Sequence, residues 1–285
     1  MQAVAANVYI EDQYPGVTLG VISLPHGLIQ IDAPPGPEDG RAWRAALINL
    51  GSGAERILVN MDAHPDRTVG VRGMDCTVIS HEKTVQIFRS HPTTFKAQSE
   101  ESGADWESIP GIGSTRWTLP EISFGQQMTL HWGSAPVQFE HHPGPASGAI
   151  WVILPEEKIV FVGDAVLKNQ PPFLASANLP NWIEALKILL GPGYRDFMVI
   201  CGRGGPAAAT VIRAQLDYLK QAFEKLERLA AKGAAPEATE SLIQPLLVPF
   251  KPATAHQKQY TQRLRYGLYH YYVRHYRPTS GEVEE

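Results

Sequence analysis

The chain has 285 residues and a formal net charge of −4, and 44% of its residues are hydrophobic and 19% charged. This composition excludes a disordered chain, and the length allows one large hydrophobic core or two modest ones. No apolar stretch approaches the roughly 18 residues of a membrane-spanning helix, and the acidic balance gives no general reason to expect nucleic acid or a membrane as partner. Cys76 and Cys201 lie far apart, and Met1–Gln13 lacks a basic start or long apolar run. We therefore expect a reduced, cytoplasmic protein.

The first half of the chain predicts short strands separated by Gly and Pro. The expected strands are Val17–Leu24, Gly27–Ala33, Arg56–Met61 and Cys76–Ser80. Helices are expected at Gly40–Leu50 and Glu82–Arg89, with a loop at Asp62–Gly70 between them. The polar segment Ser90–Thr115 predicts an exposed insertion that overhangs a cleft.

The second half repeats this order of strands followed by helices. Its expected strands are Ile122–Phe124, Met128–His131, Val137–His141, Ala149–Leu154, Ile159–Val162 and Phe197–Ile200. Its expected helices are Asn181–Leu190, Ala207–Lys232, Pro236–Gln244 and Ala255–Tyr276. The helix at Ala207–Lys232 has the clearest pattern, because apolar residues recur every three or four positions and Gly233 follows it. Two successive sets of strands and helices predict a two-sheet sandwich with helices outside.

Four segments carry polar residues at the ends of apolar, strand-like runs. They are Gly27–Asp32, Asp62–Arg67, Pro143–Gly148 with the hairpin that ends at Asp164, and Val199–Gly204. In order and spacing they resemble the motifs I-D, H-x-H-x-D-H, P-G-H-T-x-G with F-x-G-D, and V-x-P-G-H-G of the metallo-β-lactamase superfamily of metal-dependent hydrolases. The resemblance implies an α+β fold, a four-layer αβ/βα sandwich at residues 1–235, with a C-terminal helical extension at 236–285 packed on it.

The resemblance also implies where the family would hold two metal ions. The matching positions in chain order are Asp62, His64, Asp66, Arg67, Pro145, Asp164 and Arg203. His64, Asp66 and the bridging Asp164 keep the residue type of the family. Asp62 is changed but can still ligate, whereas Pro145 has no side-chain donor and the two arginines are not normal ligands.

These substitutions suggest two hypotheses for the metal positions. Arg67 and Arg203 together replace the charge of one dication and could pair with Asp66 and Asp164. Asp62, His64 and Asp164, with a nitrogen from His142, could still bind one divalent ion such as Zn, Mn or Fe. The sequence allows either one bound ion or none. It also allows the alternative that the polar residues of Asp62–Arg67 only cap a helix, with Asp66 at its start.

Two functions follow from these alternatives. An active protein would be a metal-dependent hydrolase of an ester, thioester, lactone or phosphodiester, with Asp66 as base and with Arg67 and Arg203 stabilising an anion. A metal-free pseudoenzyme would instead bind an acidic small molecule or serve as a scaffold. Both versions predict a small anionic molecule in the cleft and no membrane partner.

The last helical segment, Lys251–Arg277, combines six basic residues with six tyrosines and has no acidic residue. Such a pattern is compatible with binding a nucleic acid strand. The alternative is an amphipathic helix that packs its tyrosines on the domain or on a second subunit, as in a homodimer. The acidic whole-chain balance favours packing over nucleic acid binding.

Overall fold

The computed structural model describes residues 1–50, 53–92, 94–95, 101–113 and 115–277. The strands of this part are β1 (Gln2–Ala5), β2 (Val8–Glu11), β3 (Leu19–Leu24), β4 (Gly27–Ile31), β5 (Glu55–Val59), β6 (Thr77–His81), β7 (Thr94–Phe95), β8 (Thr115–Arg116), β9 (Ile122–Phe124), β10 (Gln127–Leu130), β11 (Val137–His141), β12 (Ile150–Leu154), β13 (Ile159–Phe161), β14 (Met198–Ile200) and β15 (Pro206–Ala207). The helices are α1 (Pro37–Ile48), α2 (Pro65–Thr68), α3 (Glu82–Ser90), α4 (Leu179–Leu189), α5 (Ala209–Ala231), α6 (Ile243–Leu247) and α7 (Thr254–Tyr276).

Two mixed sheets organise these strands. The first sheet has the order β1-β2-β3-β4-β5-β6-β9, and the second has the order β10-β11-β12-β13-β14-β15. In the first sheet, β4, β5, β6 and β9 pair in parallel, whereas in the second sheet only β13 and β14 do so within the described residues. Parallel strands end at the same edge of a sheet, so the segments that follow β4 and β5 meet, as do those that follow β13 and β14.

The sheets face each other and carry helices on their outer faces, which makes four layers. The apolar layer between the sheets includes Ile29, Val59, Phe139 and Val152, all almost fully buried. A second cluster packs α1, through Trp43 and Leu47, on the outer face of the first sheet, and a third packs α4, α5, α6 and α7 on the second. The expected α+β, four-layer sandwich is confirmed. β12 is buried on both faces, which explains its unbroken apolar sequence Ile-Trp-Val-Ile-Leu.

The C-terminal helical extension is also confirmed. Leu264, Leu268, Tyr271 and Tyr272 of α7 are almost fully buried in the same cluster as α4 and α5. Exposed Arg265 of α7 pairs with Glu240 at 2.7 Å. Much of the Tyr/Arg pattern is therefore used for packing on the domain, while the homodimer remains a prediction. Among the described residues, no helix is long and apolar enough to cross a membrane.

Several segments of the structure differ from the sequence-based expectation, among them the helix expected at Pro236–Gln244, which is a 3-10 helix at Pro236–Leu242 followed by α6. Strands β1 and β2 form a hairpin in the segment that had been considered only for targeting signals, with Asn7 at φ 62° in its turn. The expected loop Asp62–Gly70 contains α2 and continues into a 3-10 helix at Val69–Met74. The expected insertion Ser90–Thr115 includes strands β7 and β8, and its residues 93, 96–100 and 114 lie outside the described residues.

Candidate functional site

The parallel strands of the two sheets bring the predicted site residues together. Asp32 and Asp62 follow β4 and β5, whose register pairs Ile31 with Val59. Asp164 follows β13 and Arg203 follows β14, whose register pairs Phe161 with Ile200. Gly202 is required beside this pair of strands, because a Cβ at that position would lie 2.5 Å from Asp164 Oδ1.

The turn after β5 presents three of the site residues. His64 has an extended backbone and is the N-cap of α2, where Pro65 opens the helix. Its Nδ1 accepts a hydrogen bond from the Asp66 amide at 3.3 Å, and Asp62 Oδ1 accepts one from the His64 amide at 2.8 Å. A polar side chain of this loop does cap a helix, as one alternative held, but the cap is His64, and Asp66 lies in the first turn of the helix.

Arg67 lies in the interior of the protein with no exposed side-chain surface, among three carboxylates. Its Nη1 donates to Asp32 Oδ2 at 3.0 Å, and its Nη2 donates to Asp164 Oδ1. Its Nε lies 3.1 Å from Asp62 Oδ1, close enough for charge attraction but without hydrogen-bond geometry. The two terminal nitrogens therefore hold this guanidinium by hydrogen bonds to two different carboxylates.

Arg203 occupies a neighbouring position and is 2% exposed. Its Nη1 donates to Asp66 Oδ2 at 2.7 Å and to Asp105 Oδ2 at 2.9 Å. Its Nη2 and Nε reach Asp164 Oδ2 and Oδ1 at 3.2 and 3.3 Å, so the two groups pair in a bidentate manner. Asp164 therefore bridges the two arginines.

A third arginine, Arg263, enters from α7. Its Nη2 donates to Asp105 Oδ2 at 3.3 Å, and its Nε donates to Gly103 O at 3.0 Å. Arg203 and Arg263 lie against the ring of Phe173, at 4.5 and 4.0 Å from the centroid, and so are held partly by cation–π contact. The C-terminal helix thus forms part of the wall of the site.

The sequence analysis missed Asp105 and Arg263 as site residues and named Asp32 only within its strand motif. Asp32 carried a usable signal, since it directly follows a parallel strand beside the strand before Asp62. The overhanging segment that contains Asp105 was expected, but no local pattern singled out this aspartate. Arg263 was visible only as one of several basic residues in the last helix.

The network of five aspartates and three arginines has more carboxylates than guanidinium groups, and the pKa values reflect this. Burial, with the neighbouring carboxylates of Asp62 and Asp164, raises the pKa of Asp32 to about 7 against the attraction of Arg67. Burial would raise the pKa of Asp164 as well, but Arg203 and Arg67 outweigh it and hold that pKa well below its usual value. Burial and the charge of Arg203 lower the pKa of His64 to about 3, so this imidazole is neutral.

His142 and Pro145 are placed differently from the other predicted residues. His142 Nε2 lies 3.0 Å from Glu140 Oε2, and its ring stacks on Trp151 at 3.7 Å. Neither contact involves His64 or Asp164, so the structure does not bring His142 into the network. His141 stacks on His81 at 3.7 Å. Pro145 offers no donor atom at the remaining position.

The residues at these positions do not fit a pair of zinc ions. Structural and catalytic zinc sites use deprotonated Cys, His, Asp or Glu side chains that converge on one point. Within the described residues, no group of three or more such side chains is placed to hold a metal. Asp62, Asp66 and Asp164 each face a guanidinium instead, and His64 Nδ1 accepts from an amide and lies 3.4 Å from Arg203 Nη2.

A polar cavity of about 190 Å³ lies beside Arg203. It is lined by Asp12, Tyr14, Gly16, Val17, Asp105, Gln170, Arg203, Gly204, His256 and Tyr260. Its charged groups are of both signs, since Asp12, Asp105 and Arg203 all line it. Arg203 and Asp105 thus belong both to the network and to the wall of this cavity.

Comparisons with known proteins agree with this architecture. The model of the metallo-beta-lactamase superfamily matches residues 64–204. A metallo-beta-lactamase from Pontibacter korlensis is similar in structure with a TM-score of 0.61 and 18% identity, covering 77% of this chain and 97% of its own. The metallo-beta-lactamase DIM-1 has a TM-score of 0.60 and 15% identity over 78% of this chain and 96% of its own.

A third similar structure extends further along the chain. A double mutant of the sec-alkyl sulfatase PisA1 has a TM-score of 0.66 and 15% identity, covering 95% of this chain and 49% of its own. A search of curated proteins found no match. At these identities the solved structures establish the fold, and the wider coverage by the sulfatase means that its similarity extends beyond the part matched by the two lactamases.

Proposed function

We propose that this chain, which belongs to the metallo-β-lactamase fold superfamily, is a metal-independent binding protein that has lost the two-metal hydrolytic centre. The arginine–aspartate network takes the place of that centre and keeps the cleft folded. The cavity beside Arg203 is then the ligand site, and the protein is a pseudoenzyme of its superfamily.

One observation supports this proposal most strongly, namely that Arg67 and Arg203 are both buried and each pairs with three aspartates. Together the two guanidinium groups carry roughly the charge of one divalent cation, and they lie among five aspartates, of which Asp164 contacts both. An unpaired buried carboxylate would be costly, so these pairs stabilise carboxylates that would otherwise need a metal. In this account the arginines serve the fold rather than a reaction.

The same residues are poorly arranged for metal-dependent hydrolysis. A metal-bound hydroxide needs a cation in an open coordination sphere. Asp66, the expected base, accepts a hydrogen bond from the Trp106 amide on Oδ1 at 2.6 Å and one from Arg203 on Oδ2 at 2.7 Å. Both oxygens of Asp66 therefore pair with protein donors, and this pairing holds the carboxylate in the network although burial raises its pKa.

Arg67 and Arg203 already pair with aspartates, and this argues against an anionic ligand at these arginines. An anion bound to Arg67 or Arg203 would have to displace an aspartate, and in the cavity it would face Asp12 and Asp105. The negative charge of the ligand and the charges of these two aspartates would repel one another. We therefore propose a polar ligand that is neutral or cationic in place of the acidic small molecule expected from the sequence.

The test compares the wild-type protein with a variant whose histidines are restored. Asp62→His, Arg67→His, Pro145→His and Arg203→His are combined, and both proteins are purified without chelator and incubated with Zn²⁺. We expect the wild-type protein to retain far less than one metal per chain, to keep its melting temperature in EDTA and to hydrolyse no ester, lactone or phosphodiester. The restored variant is expected to bind zinc.

Two results would contradict the proposal. One is a wild-type protein that holds about one metal per chain and is destabilised when EDTA removes it. The other is metal-dependent hydrolysis by the wild-type protein. Both are measured on the wild-type chain, so the test stands even if the restored variant does not fold.

A further inference from the structure

A second cavity, of about 170 Å³, lies outside the arginine–aspartate network. Its walls are one face of α5, the segment that follows Asp164, and a short 3-10 helix at Val248–Phe250 before α7. It is lined by Leu167, Asn169, Gln170, Pro172, Val211, Ala214, Gln215, Tyr218, Pro249 and Phe250. Gln170 also lines the polar cavity beside Arg203, so the two cavities are neighbours that share one side chain.

The lining of this second cavity selects against charged molecules. Its walls are mainly aliphatic and aromatic, and none of the described residues that line it carries a charge. A charged group that entered would lose its hydration without gaining a counter-ion. Gln215 is already engaged, since its Oε1 accepts from the Leu167 amide at 2.8 Å and its Nε2 donates to Ala165 O at 2.6 Å.

Tyr218 supplies the feature that points to a ligand. This side chain is 6% exposed, and its hydroxyl is buried without a hydrogen-bond partner in the described part of the chain. Its ring packs edge-on against Phe250 at 5.0 Å. Burial raises the pKa of Tyr218, which keeps the phenol protonated and able to donate. A buried donor of this kind normally has an acceptor, because leaving it unpaired costs about 1–3 kcal/mol.

We propose that this cavity binds a small, uncharged and mainly apolar molecule whose single acceptor atom takes the hydrogen bond of Tyr218 once the side chains that cover the hydroxyl move aside. The size is suitable, because a cavity of about 150 Å³ lined by apolar side chains accommodates one benzene ring. Among the described residues, none of the arginines and aspartates of the network lines this cavity. Binding here therefore does not depend on whether the network has replaced a metal centre.

The experiment uses two probes of matched shape. Acetophenone carries one carbonyl acceptor, whereas ethylbenzene has the same ring and chain length without it. Their dissociation constants are measured by ligand-observed NMR and calorimetry with the full chain. We expect the wild-type protein to bind acetophenone in the millimolar range or tighter, and Tyr218→Phe to reduce its preference for acetophenone over ethylbenzene roughly three- to tenfold.

The location of the binding site is tested by a pair of matched variants on α5. Ala214 and Ala231 are both exposed positions of this helix, but only Ala214 lines the cavity. Ala214→Phe should abolish binding of both probes, and Ala231→Phe should leave it unchanged. The proposal is overturned if acetophenone does not bind, if Ala214→Phe binds as the wild-type protein does, or if Tyr218→Phe keeps the full preference for the ketone.

Discussion

At the scale of single residues, Arg67 determines the energetics of the site. It has no exposed side-chain surface and is the counter-ion of Asp32, Asp62 and Asp164. Removing one partner of a buried ion pair leaves the other charge uncompensated. Here three carboxylates would face one another without the central cation.

We predict that Arg67→Met lowers the free energy of unfolding by about 3–5 kcal/mol, as expected for breaking a buried charge pair. The matched control is Arg265→Met, which removes an exposed arginine paired with Glu240. That change should cost at most about 1 kcal/mol, because water replaces a surface ion pair. Urea denaturation of the three proteins measures both values, and equal costs at the two positions would contradict the structural role of Arg67.

His64 gives the site a pH dependence of defined sign. Its pKa falls from 6.5 to about 3 on folding. Between these values the unfolded chain binds a proton that the folded chain does not, so the free energy of unfolding decreases as the pH is lowered from 6.5 towards 3. The slope from this group is at most about 1.4 kcal/mol per pH unit.

We predict that His64→Gln removes this slope, since an amide keeps an acceptor for the Asp66 amide but does not titrate. The difference in free energy of unfolding between the wild-type protein and the variant is measured at several pH values from about 7 to 5. The wild-type protein should lose stability relative to the variant as the pH falls. A difference that does not change with pH would show that His64 is not held neutral.

At the scale of elements, the C-terminal helix α7 completes both the core and the site. Its buried face packs Leu264 and Leu268 on the domain, and Arg263 of the same helix reaches Asp105. A helix that makes such contacts should unfold together with the sandwich rather than as a separate unit.

We predict that Leu268→Ala costs about 2–5 kcal/mol, as expected for truncating a fully buried leucine. Tyr269 follows it in sequence and is 37% exposed, so Tyr269→Ala should stay within about 0.5–1 kcal/mol of the wild type. Both values come from urea denaturation followed by far-UV and tryptophan signals. Two separate transitions, with only the minor one shifted by Leu268→Ala, would mean that α7 is not part of the cooperative domain.

The elements were predictable from sequence where local pattern and burial agree. The period of α5 and the apolar run of β12 predicted both elements within a few residues, because each presents a continuous apolar surface to the core. The hairpin of β1 and β2 was missed, although Asn7 is a residue that favours left-handed turns. Its strands have only four residues each, too few for a clear alternating pattern.

At the scale of the whole molecule, the site was predictable only in part. The resemblance placed Arg67, Arg203 and Asp164 at equivalent positions, and charge compensation suggested that they would pair. Asp105 and Arg263 could not be foreseen, because their roles come from tertiary contacts between segments about 160 residues apart. The proposal of a neutral or cationic ligand in place of the expected anion rests on one of these contacts, because Asp105 pairs with Arg203 at 2.9 Å.

The most direct measurement is a crystal structure of wild-type protein grown with excess Zn²⁺, with anomalous data collected on both sides of the zinc absorption edge. The account predicts continuous density for the guanidinium groups of Arg67 and Arg203 against Asp32, Asp66 and Asp164, and no anomalous peak within about 2.5 Å of His64, a distance that exceeds a zinc–nitrogen bond. An anomalous peak bound by His64, Asp62 and Asp164, with either arginine turned away into solvent, would contradict it.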